Sequence, residues 1–321
     1  MDHQKLQHLP IGLFASVMGM AGLTLVWTRA SEIGLPIVKP VAWSLGWLTS
    51  LLLLVLLVAY GLKTWRHQAA VAGEFKHPIK LNFFAAIPIG LILVATIWSN
   101  HHLGVAAVLW WVGVSLMLVA TLVTMSSWLN HDHYQLGHLN PAWFIPVVGN
   151  VLVPIAGARL GQTEVSWFFF SIGIVFWMIL MTIVINRLIF HDTLPDRFKP
   201  TLFILLAPPA VAFVAYVSLN GGQLDAFARV LYYSGLFLAL LLASNALRFL
   251  ALPFFVSAWA YSFPVAAIGI ASFRQFELTD DAVFLWFGWA FLIILSALVP
   301  YLFYKTVRSL VKGQLLVSEG A

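Results

Sequence analysis

Residues 259–269 read Trp-Ala-Tyr-Ser-Phe-Pro-Val-Ala-Ala-Ile-Gly. The stretch is uncharged, lies within an apolar run long enough to cross a bilayer, and holds a proline, Pro264, at its middle. A proline inside a helix removes one backbone hydrogen bond and bends the axis. In lipid the freed carbonyl has no water to turn to, so such a helix is tolerated only where its break faces protein or a water-filled cavity. A proline-broken apolar segment therefore predicts an inner helix beside a passage.

The same signature recurs along the chain. Leu9-Pro10-Ile11-Gly12, Ile87-Pro88-Ile89-Gly90, Ile145-Pro146 with Val153-Pro154, and Ala207-Pro208-Pro209 each fall in a run of roughly 20 mostly apolar residues, the length a span requires. Ten such runs stand at about 9–28, 40–62, 79–99, 103–127, 141–159, 165–188, 200–219, 226–246, 249–273 and 282–305, with a turn expected near Arg248. The prolines sort by parity. Odd runs carry them, while the fourth, sixth and eighth have none inside, the second only begins at Pro40 and the tenth holds Pro300 near its end. A kinked helix followed by a straight one, five times at roughly 60-residue spacing, is an internal repeat. The expected fold is all-α, a single transmembrane domain over residues 1–321 built as five helical hairpins around a central pore, with odd helices inside and even helices outside. Two inverted five-helix halves would make the third run equivalent to the eighth. Pro88 lies in the third and no proline in the eighth, which favours five parallel pairs.

Composition agrees with a lipid-embedded chain. Of 321 residues, 61% are hydrophobic and 9% charged, against roughly half and a quarter in a soluble domain. The absence of cysteine excludes disulfides, thiolate nucleophiles and cysteine-ligated metals. The formal charge of +5 sits in loops and at the ends of apolar runs, with no aromatic-interleaved basic patch, so no nucleic acid is expected as a partner. Across ten spans, 12 Lys and Arg fall on the side of the termini and only Arg29, Lys39, Arg159, Arg229 and Arg274 on the other. By the positive-inside rule both termini are expected in the cytoplasm, in a multi-pass protein of a bacterial-type inner (plasma) membrane. The first run lacks a small-residue cleavage site and is expected to be retained.

Asp, Glu, Lys and Arg are missing from the interior of every run. Arg229 comes closest, near the start of the eighth, and is expected to snorkel to the surface. An intramembrane proton relay and a paired-carboxylate enzyme site both need what is absent here, so an enzyme is not expected, nor a cofactor or metal. His131, Asp132, His133 and His138 form the densest ligand-like group, and His101 and His102 a second; both are read as polar loops. An uncharged pore selects anions when its mouths are basic and its walls aim amide dipoles inward. Aromatic rings on the proline-bearing helices are candidates for a constriction. Phe263 immediately precedes Pro264, with small neighbours Ser262, Ala266 and Ala267, and Phe14, Phe83 and Phe144 lie near equivalent points of other odd helices.

LPIGLFASVMG at Leu9, HPIKLNFFAAIPI at His77, NPAWFIPVVGN at Asn140, LAPPAVAFVAYVSLNGG at Leu206, WAYSFPVAA at Trp259 and KGQLL at Lys312 together resemble the tellurite-resistance/dicarboxylate transporter family, which includes bacterial TehA and the slow anion channels of plant guard cells. The resemblance implies a passive channel for small anions, in contact with membrane lipid and assembled as a homotrimer. It implies that Phe263 is the gate, that Phe14, Phe83 and Phe144 face the pore with either Phe203 or Ala207 on the seventh helix, and that Pro10, Pro88, Pro146, Pro154, Pro208, Pro209 and Pro264 are kinks. The alternative is a secondary transporter or exporter of C4-dicarboxylates or of oxyanions such as tellurite or sulfite. A soluble regulator encoded elsewhere is compatible with either.

Overall fold

The computed structural model describes residues 3–34, 36–131 and 134–316. Among them, nine helices are long and apolar enough to cross a membrane: α1 (Ile11–Ile33), α2 (Lys39–Arg66), α3 (Lys80–Trp98), α4 (Leu103–Asn130), α6 (Thr163–Phe190), α7 (Asp196–Leu219), α8 (Ala226–Ala243), α9 (Val256–Thr279) and α10 (Ala282–Val311). A shorter apolar helix, α5 (Pro141–Gly157), stands fifth in order. The clearest departure from the sequence reading is the start of α9, at Val256 and not 249. Ser244 and Asn245 close α8, a separate short helix Ala246–Leu250 carries Arg248, and extended backbone at Phe255 (φ −121°, ψ 159°) leads into α9. Pro253 in that link cannot continue a helix.

Burial follows parity. Within their apolar windows α1, α3, α7 and α9 are 67, 83, 67 and 72% buried, whereas α2, α4, α6, α8 and α10 are 22 to 33% buried. Nearly every residue of α5 is buried as well. Each even helix packs against the odd helix before it, and the odd helices touch in the order α1, α3, α5, α7, α9 and back to α1. The inner five therefore close a ring, and the outer five present exposed Leu, Ile, Val, Phe and Trp, the surface expected where the solvent is hydrocarbon.

The prolines act differently from simple kinks. Each odd helix opens with tight 3-10 turns and then relaxes to α geometry: Ile11–Phe14 before Ala15–Ile33, Lys80–Ala85 before Ala86–Trp98, Asp196–Leu205 before Ala207–Leu219, and Val256–Tyr261 before Ser262–Thr279. In α5 the two geometries alternate. Pro88, Pro146, Pro154, Pro208, Pro209 and Pro264 all sit within the first three residues of an α segment, where the segment itself offers their missing N–H no acceptor. They mark the switch between the two helix types. Pro10 is not a kink: it precedes the first 3-10 turn on extended backbone (φ −76°, ψ 136°) and is a start signal. Pro300 lies inside the continuous α10.

A second fivefold feature fixes how closely the rings approach. Each even helix places one glycine against the inner ring: Gly46, Gly113, Gly173, Gly235 and Gly288. A Cβ on Gly113 would lie 3.2 Å from the Ile92 backbone nitrogen, one on Gly173 would lie 3.0 Å from that of Val151, and one on Gly288 would lie 2.5 Å from the Phe273 ring. Small residues at such crossings let helix backbones approach in a membrane. Gly173→Ala is expected to destabilise the fold by about 1–3 kcal/mol, because backbone as well as side chain must shift. Thermal unfolding in detergent checks it, with Gly61→Ala as the control, since nothing lies within 4 Å of that position.

Candidate functional site: the central passage

The inner ring encloses a cavity of about 900 Å³ that reaches the face carrying both termini. All five odd helices line it, through Ala15 of α1, Phe83 of α3, Phe144 of α5, Ala207 of α7 and Phe263 of α9, and His8, Glu74, Lys80, Arg197 and Gln314 stand at its mouth. A second cavity of about 60 Å³ lies toward the opposite face, where Thr28, Arg29, Glu32, Asn100 and Arg159 line it. Leu152, Val211 and Phe263 line both. These three apolar side chains form the partition between the two halves of the passage.

Phe263 is the largest of the three and is 7% exposed. It is the second residue of the α segment that starts at Ser262, and the Ser262 hydroxyl donates to the Trp259 carbonyl at 2.6 Å. That segment lies close against α1 because α1 offers glycine there. A Cβ on Gly19 would be 2.3 Å from Ser262 Oγ, and one on Gly22 would be 2.5 Å from Ala266 Cβ and 3.5 Å from Phe263 Cδ2. The ring therefore has bare backbone of α1 at one edge and a cavity on either side.

Of the other aromatic candidates, Phe83 and Phe144 line the larger cavity. Phe14 does not face the passage. It is 1% exposed and meets the Tyr60 ring edge-on at 5.9 Å, toward α2. Phe203 also turns away, into an aromatic cluster with Tyr261 at 4.7 Å and Phe249 at 5.0 Å, and Ala207 takes the cavity position on α7. Phe14, Phe203 and the cavity-facing Phe83 all lie in 3-10 turns, so the turn type alone does not decide which ring reaches the passage.

One charged site was not legible as such. Lys63, counted in the sequence as an orientation charge, is 1% exposed and pairs with Glu74, Nζ to Oε2 2.6 Å. Lys63 also donates to the Leu9 carbonyl at 2.8 Å, and the Tyr60 hydroxyl donates to the same Glu74 oxygen at 2.6 Å. The cluster ties α2 and the short helix Gln68–Lys76 to the chain entering α1. Arg187, near the end of α6, is buried too and donates to the Asp192 and Leu136 carbonyls. In the histidine-rich loop, the Gln135 N–H donates to His138 Nδ1 at 3.2 Å. Asp132 and His133 lie outside the described residues, among which no group of three potential metal ligands occurs.

Among the described residues, ten apolar helical segments in two rings, around a passage partitioned at its centre by apolar side chains, define an all-α multi-pass membrane protein of the pore or transporter class. The family model for the voltage-dependent anion channel (SLAC1) matches residues 8–307, and the chain belongs to that family. It is 29% identical over 276 residues to the S-type anion channel SLAH2 of Arabidopsis thaliana, covering 84% of this chain and 53% of that protein. It is 26% identical over 310 residues to the Tellurite resistance protein TehA homolog of Haemophilus influenzae, covering 95% and 92%. With the transporter MJ0576 of Methanocaldococcus jannaschii it shares 25% over 324 residues, covering 94% and 93%. The chain thus spans about half the length of the plant channel SLAH2 and nearly all of the two microbial relatives.

Proposed function

We propose that the chain is an anion channel that passes chloride- or nitrate-like ions through the inner ring, and that the Phe263 ring holds it closed. The observation that carries this reading is the sharing of Phe263, Leu152 and Val211 by both cavities, so that the junction between them is walled by apolar side chains. An uncharged wall lets an anion leave as readily as it enters, because conduction requires binding that is favourable but weak. The relatives named as S-type anion channels favour the same assignment. Opening is a swing of the Phe263 ring, and selectivity comes from dehydration and from the basic mouths. Both termini lie in the cytoplasm of a bacterial-type inner membrane, and the exposed apolar faces of the outer helices serve lipid and the contacts of a homotrimer.

A second reading rests on the size of the larger cavity. About 900 Å³ is within the range of small-molecule sites and admits a C4-dicarboxylate or an oxyanion, as in a secondary carrier. The two readings separate in proteoliposomes. A channel releases chloride or nitrate down its own gradient at a rate independent of any pH gradient. Saturable malate uptake that requires a pH gradient, without chloride release, would establish the carrier and overturn the channel.

A further inference from the structure

Three of the five cations on the face opposite the termini form one cluster at the small cavity: Arg29 near the end of α1 and Arg159 just after α5 line it, and Arg274 in the last turns of α9 joins Arg29 through Glu277. Two of them are matched by carboxylates. Arg29 Nη1 lies 2.8 Å from Glu32 Oε2 and 3.4 Å from Glu277 Oε1, and Arg274 Nη1 lies 2.7 Å from Glu277 Oε2. Three guanidinium groups against two carboxylates leave one positive charge over, and the contacts locate it. Arg159 has no carboxylate within ion-pair distance among the described residues. It donates to two neutral oxygens, Asn100 Oδ1 and, at 3.4 Å, Ser99 Oγ.

The two hydroxyls of this cavity are spoken for. The Thr28 hydroxyl donates to the Thr24 carbonyl and the Thr96 hydroxyl to the Ile92 carbonyl, each at 2.8 Å. Neither has a proton left for an anion, whereas a guanidinium has five N–H donors, of which Arg159 uses only part. Burial pushes the Arg159 pKa down, and the neighbouring charges of Arg29 and Arg274 push it the same way, against the smaller upward pull of Glu32 and Glu277. The group stays protonated at neutral pH, so an anion beside it relieves an unfavourable charge. The cavity holds about 60 Å³, more than the roughly 10–15 Å³ that one water needs.

We infer that Arg159 forms an anion-recruiting site at the mouth opposite the termini, where a small inorganic anion of the chloride or nitrate class is held next to the Phe263 partition. The pairs Arg29–Glu32 and Arg274–Glu277 fix its surroundings, and Glu32 limits how tightly the ion is held. The role in conduction rests on the channel reading above; occupancy of the site does not.

Two measurements test it. In the Phe263→Ala background, Arg159→Gln is expected to lower chloride current about fivefold at about 0.01 M salt and to have little effect at about 1 M, as the Debye length shrinks from about 30 Å to about 3 Å. Arg159→Lys keeps most of the current, and Arg229→Gln, on the same face but outside the cavity, changes nothing. An equal loss at both salt concentrations, no loss at either, or failure of the lysine variant to restore current would overturn the site. The second measurement is chloride-35 line broadening by the otherwise unaltered protein in nanodiscs, where Arg159→Gln is expected to remove the part that nitrate displaces. Broadening identical in the two proteins overturns the proposal. If Phe263→Ala passes no anion, the channel reading fails and the broadening alone decides whether Arg159 holds one.

Discussion

Phe263→Ala is expected to raise anion conductance by at least about tenfold, which corresponds to lowering the central barrier by about 1.4 kcal/mol. With Leu152 and Val211 the ring separates the two cavities, and it is the bulkiest of the three. Its removal joins them into one passage in which an anion keeps more of its water. The same substitution in a close-packed core costs about 3–5 kcal/mol. Here the ring has a cavity on two sides and so has fewer packing partners to lose, and a stability loss of about 1–2 kcal/mol is expected. Phe263→Leu is expected to fall between the two in current. Single-channel recording together with thermal unfolding checks both halves. Unchanged conductance in a variant that unfolds at the ordinary temperature would remove Phe263 from the gate.

Lys63→Met is expected to be the most damaging single change outside the passage, costing about 2–4 kcal/mol, because it leaves the largely shielded Glu74 carboxylate without its cation. Glu74 would keep the Tyr60 hydroxyl, and the Leu9 carbonyl would lose the Lys63 donor. Since Leu9 and Pro10 lead directly into the first 3-10 turn, the start of α1 would loosen with the pair. Replacing both partners, Lys63→Met with Glu74→Gln, removes the stranded charge and is expected to recover most of the loss. Thermal midpoints of the two single variants and the double variant in detergent form the test. A double variant no more stable than Lys63→Met would show that packing, and not the charge pair, holds this corner.

The parity of prolines was enough to assign the rings, because a chain in lipid must hide irregular backbone and has only the inside in which to hide it. The same physics made Phe263 legible: a bulky ring beside a helix switch with small neighbours has both a reason and the room to reach the passage. Register was not legible. Phe14, Phe83 and Phe203 all occupy 3-10 turns, yet only Phe83 lines the cavity, and nothing in the local sequence tells which of the three rings turns toward the passage. The Lys63–Glu74 pair joins α2 to the short helix beyond it, and single-residue counting places a lysine at a helix end in water by default. The net charge over Arg159 depends on which arginines find carboxylates across three helices, information held only in the packing. The outer glycines carry no local mark, since Gly61 on α2 looks the same in sequence as Gly46 and has nothing near it.

The most direct test of an anion pore through the inner ring is the reversal potential of Phe263→Ala in planar bilayers, under a chloride gradient at equal pH on both sides. The expected current reverses near the chloride equilibrium potential and stays there when a pH gradient is added. Reversal at the potential of the cation, or movement of the reversal with pH, would contradict an anion-selective pore gated at Phe263.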